Sequence, residues 1–511
     1  MTRSFSRRDF LKLASLAAAN VFLAGGLAAR ASEASRPNIL IFVFDTLSAR
    51  HMSLYGYHRK TTPNLERFAE RANVYHRHYS AGNFTVPGTA SLLTGTYPWT
   101  HRAFQQSGLI QRSLASHNLF AAASRPYRKT VFSQNLWAEN LLSQFQADID
   151  THLPPTAFSQ FDGLAGDSAL FHRDKDVAFR AYDDFLFQKF DTPGSLYFSL
   201  LNKINSTVMY NDTFAEHAAD YPLGIPNLLK YDVYYLLEDI FSGIQNQLTR
   251  LDAPALGYFH FFSPHELYYP RKEFAGRFND GWTPEAKPFH PLSDTAFQHD
   301  VLCAYRNGYD ELIANVDDEF GKLMDFMQRA GFFENSYIVV TSDHGQLFER
   351  GEHGHGTALM FDPVIHIPLL VHAPGQTGRN DFFAPNSNVD ILPTLLRCAG
   401  FEIPAWAEGV PLAGLGGSED LARPVFAIDA KSNPALTPLR QATIAMIQGD
   451  QKLIHYRGYP GAEDSFELYN LRDDPEEMRD LAADLPDVVA SMKNVMLARL
   501  AEADQPFTRE G

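Results

Sequence analysis

Asp45, Thr85, Asp343 and His344 are the residues of this 511-residue sequence best suited to hold a divalent cation and attack an electrophile beside it. Two carboxylates and an imidazole make a plausible divalent set: the oxygens suit magnesium, calcium or manganese, and the imidazole also admits zinc. Thr85 adds a hydroxyl. A bound cation lowers the pKa of such a hydroxyl and makes an alkoxide available near neutral pH. The stretch that follows, "TVPGTASLLTG", reads as a short apolar helix whose positive end would face an anion. The same threonine could instead cap that helix, because Pro87 favours a first turn, and the two roles are compatible. Spacing alone does not assign a metal, since an aspartate at a strand end is often only a turn or cap residue.

The elements that must position these groups are legible. "NILIFVFD" (Asn38 to Asp45) is a continuous apolar run, the pattern of a parallel strand buried on both faces, and it ends on the aspartate. In open α/β sheets functional groups gather beyond the carboxyl ends of the strands. "LGYFHFF" (Leu256 to Phe262), "YIVVT" (Tyr337 to Thr341) and "HIPLLVH" (His366 to His372) repeat the theme, and the first two run into the polar clusters "SPHELYYP" and "SDHG". Between them Leu312, Val316, Phe320, Leu323 and Phe326 recur at helical spacing. Strand, helix, strand predicts a doubly wound, mostly parallel α/β domain, over about 36–414. The aromatic-rich region from about 150 to 250 reads as a helical insertion. After residue 415 or so, "QATIAMIQGDQKLIHYR" predicts a hairpin around Gly449-Asp450, "SFELYNL" another strand and "LPDVVASMKNVMLARLAEA" a helix, which together make a smaller α+β domain.

The first 31 residues differ in kind. "SRRDFLK" precedes an apolar stretch from Leu13 to Leu27 and a small-residue site at Ala29-Arg30-Ala31, which reads as a twin-arginine signal peptide handled by the Tat translocase. The expected destination is the bacterial periplasm or the exterior. The formal charge of −16 becomes roughly −20 once the basic leader is removed, a surface that repels nucleic acid and anionic lipid. An anionic substrate would therefore need a local positive device. The two cysteines, Cys303 and Cys398, are too few for a disulfide framework, and no later run reaches the length of a membrane span.

The chain resembles the sulfatase family of the alkaline phosphatase superfamily. The stretches that carry the resemblance are "RPNILIFVFDTLSARHMSLYGY", "TVPGTASLLTGTYPWTH", "FFSPHELYYP", "IVVTSDHGQLFERGEHGHG", "IHIPLLVHAPG", "NVDILPTLLRCAG" and "ELYNLRDDPEEMRDLA", in family order. The resemblance implies Asp45 as the first metal carboxylate, Asp343 with His344 as the second pair, and one divalent ion. It makes His265 the histidine that contacts the transferred group or protonates the leaving oxygen. It puts His353 and His355 in the region where related enzymes hold one histidine over the substrate, so that one of the two serves there and the other is structural, with His101 a weaker candidate.

The departures from the family bear directly on mechanism. Sulfatases carry Cys-x-Pro-x-Arg or Ser-x-Pro-x-Arg, whose first residue becomes formylglycine, whereas this chain reads Thr85-Val86-Pro87-Gly88-Thr89. Threonine cannot form that aldehyde. The family's later lysine and histidine are missing from "SQNLWAE", and its paired first aspartates are here Asp45-Thr46. Relatives with a threonine nucleophile act on phosphorus, among them nucleotide pyrophosphatase/phosphodiesterases, phosphoethanolamine transferases and lipoteichoic acid synthases. The resemblance thus implies a phosphate ester or diester hydrolase or transferase using Thr85, acting on a small-molecule, glycan or lipid ester. Two alternatives stay open: a sulfuric ester hydrolase without formylglycine, and an inactive protein that binds an anion or a glycan.

Overall fold

A computed structural model of the chain describes residues 36–162, 207–208, 210–228, 233–462 and 464–508. The signal-peptide segment and much of the insertion lie outside the described residues. The main sheet has eight strands: β1 (Asn38–Phe44), β2 (Asn73–Tyr75), β3 (Arg128–Ser133), β4 (Thr151–Leu153), β5 (Ala255–Phe261), β6 (Ser336–Ser342), β7 (Leu369–His372) and β8 (Asn380–Phe382). Their order is β8-β2-β7-β6-β1-β5-β3-β4. The apolar run around residue 40 becomes the central strand, parallel to both β5 and β6. It is buried along its whole length because it faces a core on each side. Leu40, Phe42 and Phe44 pack one layer and Ile39, Ile41 and Val43 the other, as the two-residue period of a strand requires.

Helices cover both faces. The short α1 (Thr85–Thr94) and α2 (Leu136–Ser143) pack with α5 (Ile391–Cys398) on one side, through residues such as Leu92, Leu141 and Leu395. On the other side α3 (Leu237–Leu248) and the long α4 (His299–Arg329) bring Phe241, Phe320 and Leu323 against the sheet. Phe320 meets Phe42 and Phe44 edge-on, with ring centroids 6.2 and 5.6 Å apart. No helix of the described residues is long and apolar enough to cross a membrane.

One strand departs from the sequence expectation. β7 runs antiparallel to both β6 and β2. A parallel strand would need a crossover to the far end of the sheet. Here the chain leaving β6 stays at the sheet's carboxyl end, forms the hairpin of Leu347–Glu349 and Glu352–Gly354, and enters β7 with Leu369 opposite Thr341. The segment that could have been a crossover builds the site instead.

The C-terminal part is a four-stranded antiparallel sheet of β9 (Val425–Asp429), β10 (Ala442–Gln448), β11 (Gln451–Arg457) and β12 (Ser465–Asn470), with α6 (Pro486–Thr508). The β10–β11 turn falls at Gly449 and Asp450. Gly449 has φ +56, a conformation that favours glycine. One face of this sheet packs Phe426, Ile444 and Met446 on Met492, Met496 and Leu500 of α6. The other packs Val425, Ala445 and Ile447 on Leu359, Phe361 and Val364 of the catalytic part, so the two share a core. Both cysteines are free thiols.

Candidate active site

The carboxyl ends of β1 and β6 deliver Asp45 and Asp343 to one point, because the two strands are in register at Phe44 and Ser342. Ligand atoms of Asp45, Asp343 and His344 all lie within 4.8 Å of one another, and the three residues are fully buried. His344 Nε2 is 3.4 Å from Asp45 Oδ1 and 3.6 Å from Asp343 Oδ2. Its Nδ1–H donates to the Gly345 carbonyl at 2.9 Å, which fixes the tautomer and leaves the Nε2 lone pair aimed at the carboxylates. Thr46, next to Asp45, has φ +64, a strained conformation for a β-branched residue. It is held there by its amide on Asp343 Oδ1 at 3.3 Å and by the Tyr309 hydroxyl on its carbonyl at 2.5 Å.

Thr85 is the first residue of α1. The cap position belongs to Phe84, which makes no side-chain cap bond, so the capping role open to Thr85 in the sequence is not taken up. Its hydroxyl points into the cluster, 3.4 Å from His344 Nε2 and 3.1 Å from Asn135 Nδ2. Gly88 lets the helix approach: a methyl group at this position would meet the Asp343 carbonyl oxygen at 2.2 Å. Ser80 Oγ donates to that same carbonyl at 2.5 Å.

Two residues that sequence reasoning did not single out complete the cluster. Asn135 donates from Nδ2 to both Asp45 Oδ2 and Thr85 Oγ1, while its Oδ1 caps α2 by accepting from Trp137 N at 2.8 Å and Ala138 N at 3.2 Å. It lies in "SQNLWAE", and an asparagine before an apolar helical run was the available signal. His260 interrupts the apolar strand β5, and its Nε2 stands 3.6 Å from Asp343 Oδ2.

The electrostatics favour a cation. Burial, the Asp343 charge beside it and little compensation beyond Asn135 push Asp45 well above the usual carboxylate range. Burial also raises Asp343, against the opposing influence of His260 and the backbone amides of Thr46, His344 and Asp343 itself. Asp45 Oδ1, Asp343 Oδ2 and His260 Nε2 are buried without a hydrogen-bond partner among the described residues. Unpaired buried carboxylate oxygens facing one another are costly, and a divalent ion would satisfy them.

A cleft of about 300 Å³ opens on Thr85 and Asn135, with Trp137, Phe262, His265 and His355 among its walls. His265 donates from Nδ1 to the Glu266 carbonyl at 3.0 Å, and burial lowers its pKa to about 3, so its Nε2 is an unprotonated acceptor. His355 stacks edge-on to His265 with centroids 4.8 Å apart and donates from Nδ1 to Gln346 Oε1 at 2.7 Å. Burial and the neighbouring His344 hold it well below the usual imidazole range. His353 also lines the cleft, stacked on Tyr305 at 4.1 Å with Nε2 3.6 Å from Glu266 Oε2. His101 is committed elsewhere, to Ser91 Oγ and the Ala103 amide, both at 3.0 Å.

Known proteins share this fold. The structure resembles the phosphonate monoester hydrolase of Agrobacterium radiobacter, with a TM-score of 0.64, 19% identity, and coverage of 92% of this chain and 96% of that one. A protein solved with its substrate D-glucosamine-2-N,6-O-disulfate matches with a TM-score of 0.63 and 18% identity, over 92% of this chain and 98% of that one. In sequence the chain is 23% identical to the choline-sulfatase of Rhizobium meliloti over 88% of this chain and 82% of that protein. It is also 23% identical to an uncharacterized sulfatase of Escherichia coli over 92% and 88%. A model of the C-terminal region of N-sulphoglucosamine sulphohydrolase matches residues 351–505. The sulfatase model itself spans residues 37–401, from the first core strand past the Asp343-His344 pair, and on that match the chain belongs to the sulfatase family of phosphoric and sulfuric ester hydrolases.

Proposed function

We propose that the protein hydrolyses phosphate esters or diesters, or transfers their phosphoryl group, with Thr85 as nucleophile. The observation that carries this reading is the Thr85 hydroxyl at the mouth of α1, in contact with His344 and Asn135 and directed away from any capping role. A divalent cation held by Asp45, Asp343 and His344 would neutralise the buried carboxylates, lower the pKa of the Thr85 hydroxyl and offset charge on the ester oxygens. Calcium, magnesium, manganese and zinc all suit this donor set. The amino end of α1 faces the same point.

Attack by Thr85 Oγ forms a bond to phosphorus as the bond to the leaving oxygen breaks. A neutral imidazole on the cleft wall, His265 or His355, carries the threonine proton to that leaving oxygen. Both present an unprotonated Nε2, since Nδ1 of each is committed to a carbonyl oxygen. The phosphothreonine is then resolved by water or an acceptor alcohol, with the imidazole as base. Asn135 donates to the nucleophile oxygen and so stabilises it as charge develops.

A second reading, sulfuric ester hydrolysis without formylglycine, is favoured by the relatives, which are described as sulfatases. Nitrophenyl phosphate, phosphodiester and sulfate esters, assayed with each of the four metals beside Thr85→Ala, separate the two. Phosphoester turnover abolished in the variant supports the proposal. Sulfate turnover that survives the variant sinks it, and metal retention without turnover on any ester points to the binding protein. We also assign the chain to the periplasm or exterior, through the Tat pathway, on the Ser6 to Lys12 stretch. Export unaffected by replacing Arg7 and Arg8 with Lys would refute that.

A further inference from the structure

A second cleft, about 350 Å³, has Arg50, His51, Lys287, Arg306 and Glu349 among its lining residues, and the His51 ring packs against Tyr309 and Phe348. Arg306, on α4, is only 8% exposed and pairs with no carboxylate among the described residues. Its one hydrogen bond there is long, from Nη2 to the Phe348 carbonyl at 3.5 Å, and its Nε has no partner. A guanidinium stays charged in any protein environment, so donors left empty in a buried position are costly. His51 Nε2 is likewise buried without a partner. Its Nδ1 is fixed by Asp310 Oδ1 at 2.7 Å, and Asp310 is itself saturated by the Tyr57 hydroxyl at 2.7 Å and Arg59 Nη1 at 2.8 Å. Burial outweighs Asp310 and lowers the His51 pKa, so with Nδ1–H on Asp310 its Nε2 is an acceptor.

Glu285, Glu349 and Glu476 also line this cleft, and Glu349 Oε1 has no hydrogen-bond partner among the described residues. Glu349 takes Lys287 at 2.8 Å, and Glu476 takes Lys287 at 3.0 Å and Arg50 as well. The donor capacity this cleft leaves unfilled is that of Arg306. We infer that this cleft is a binding site for an oxyanion, a phosphate or sulfate group gripped by the Arg306 guanidinium, separate from the Asp45, Asp343 and His344 cluster. An Arg–oxyanion contact supplies paired, charge-assisted hydrogen bonds that the chain itself does not provide here. The anion is either a free ion or the charged substituent of a larger molecule.

Calorimetric titration of inorganic phosphate into the full chain carrying Asp343→Asn, which disables the metal cluster, tests the site. Binding should persist in that variant, weaken about tenfold or more when Arg306→Gln is added, and recover only in part with Arg306→Lys, which restores the charge without the paired bonds. Binding that vanishes with Asp343→Asn alone, that ignores Arg306→Gln, or that is absent altogether overturns the inference. Selenate soaked into crystals of the unaltered protein needs no variant: an anomalous peak within hydrogen-bond distance of Arg306 supports the site, and peaks elsewhere only overturn it. Glucose 6-phosphate titrated in parallel distinguishes the sources. Tighter binding than inorganic phosphate identifies an anionic substituent, and weaker or equal binding identifies the free ion.

Discussion

Replacing Gly88 with alanine sets two effects of opposite sign against each other. In an exposed helix the change would stabilise by roughly 0.5–1 kcal/mol, because glycine loses more backbone freedom on folding. At residue 88 the new methyl carbon would lie 2.2 Å from the Asp343 carbonyl oxygen, backbone that has no rotamer in which to escape. Relief of that overlap requires α1 and the end of β6 to separate by about 1 Å, and overpacking of this kind costs roughly 1–3 kcal/mol. The net expectation is destabilisation by about 0.5–2 kcal/mol, a lower urea midpoint. Because the parting segments carry Thr85 and Asp343, turnover should fall by about 100-fold, the usual cost of a 1 Å misplacement at a reacting centre. Urea unfolding and ester turnover on the same preparation read both. A midpoint that rises while turnover is unchanged would refute the claim that close approach at Gly88 sets the site geometry.

Asn135→Ser retains a good helix cap but removes the amide donor to Thr85 and Asp45, so stability should hold within about 0.5 kcal/mol while turnover drops 100-fold or more; equal turnover would make Asn135 a cap alone. A divalent metal should raise the thermal midpoint of the unaltered chain and not that of Asp343→Asn, since binding to the folded state alone stabilises it. Equal shifts in both would place the metal elsewhere. Burial, partly opposed by Lys431, raises the Asp429 pKa from 3.8 to about 6. The folded state therefore holds this proton more tightly than the unfolded chain: its contribution is full below about pH 4 and is lost as pH rises through about 6, up to about 3 kcal/mol. Asp429→Asn should accordingly gain on the unaltered chain in urea midpoint between pH 4.5 and 7.5; a constant difference counts against the assignment.

The central strand and its terminal aspartate could be read from residues 38–45 alone, because burial on both faces leaves a local signature: an unbroken apolar run. The Gly449-Asp450 hairpin and the terminal helix were legible for the same reason, one in a turn dipeptide and the other in helical spacing. Asn135 and His260 were not. Asn135 acquires its role by touching Asp45 and Thr85, the first of them 90 positions away in the chain, and nothing in its own neighbourhood distinguishes it from an ordinary cap. The direction of β7 was hidden as well, since an apolar tetrad reads alike in either orientation and only the path of the preceding hairpin sets it. The sequence by itself determined which side chains could hold a cation and attack an ester, and which strand ends would present them. Tertiary structure alone decided that Thr85 faces His344 rather than capping its helix, that Arg306 is buried with no carboxylate partner among the described residues, and that burial lowers the pKa of His265 and His355. Hydroxyl direction, pairing and protonation depend on neighbours contributed from distant parts of the chain, and those neighbours meet only when the sheet assembles.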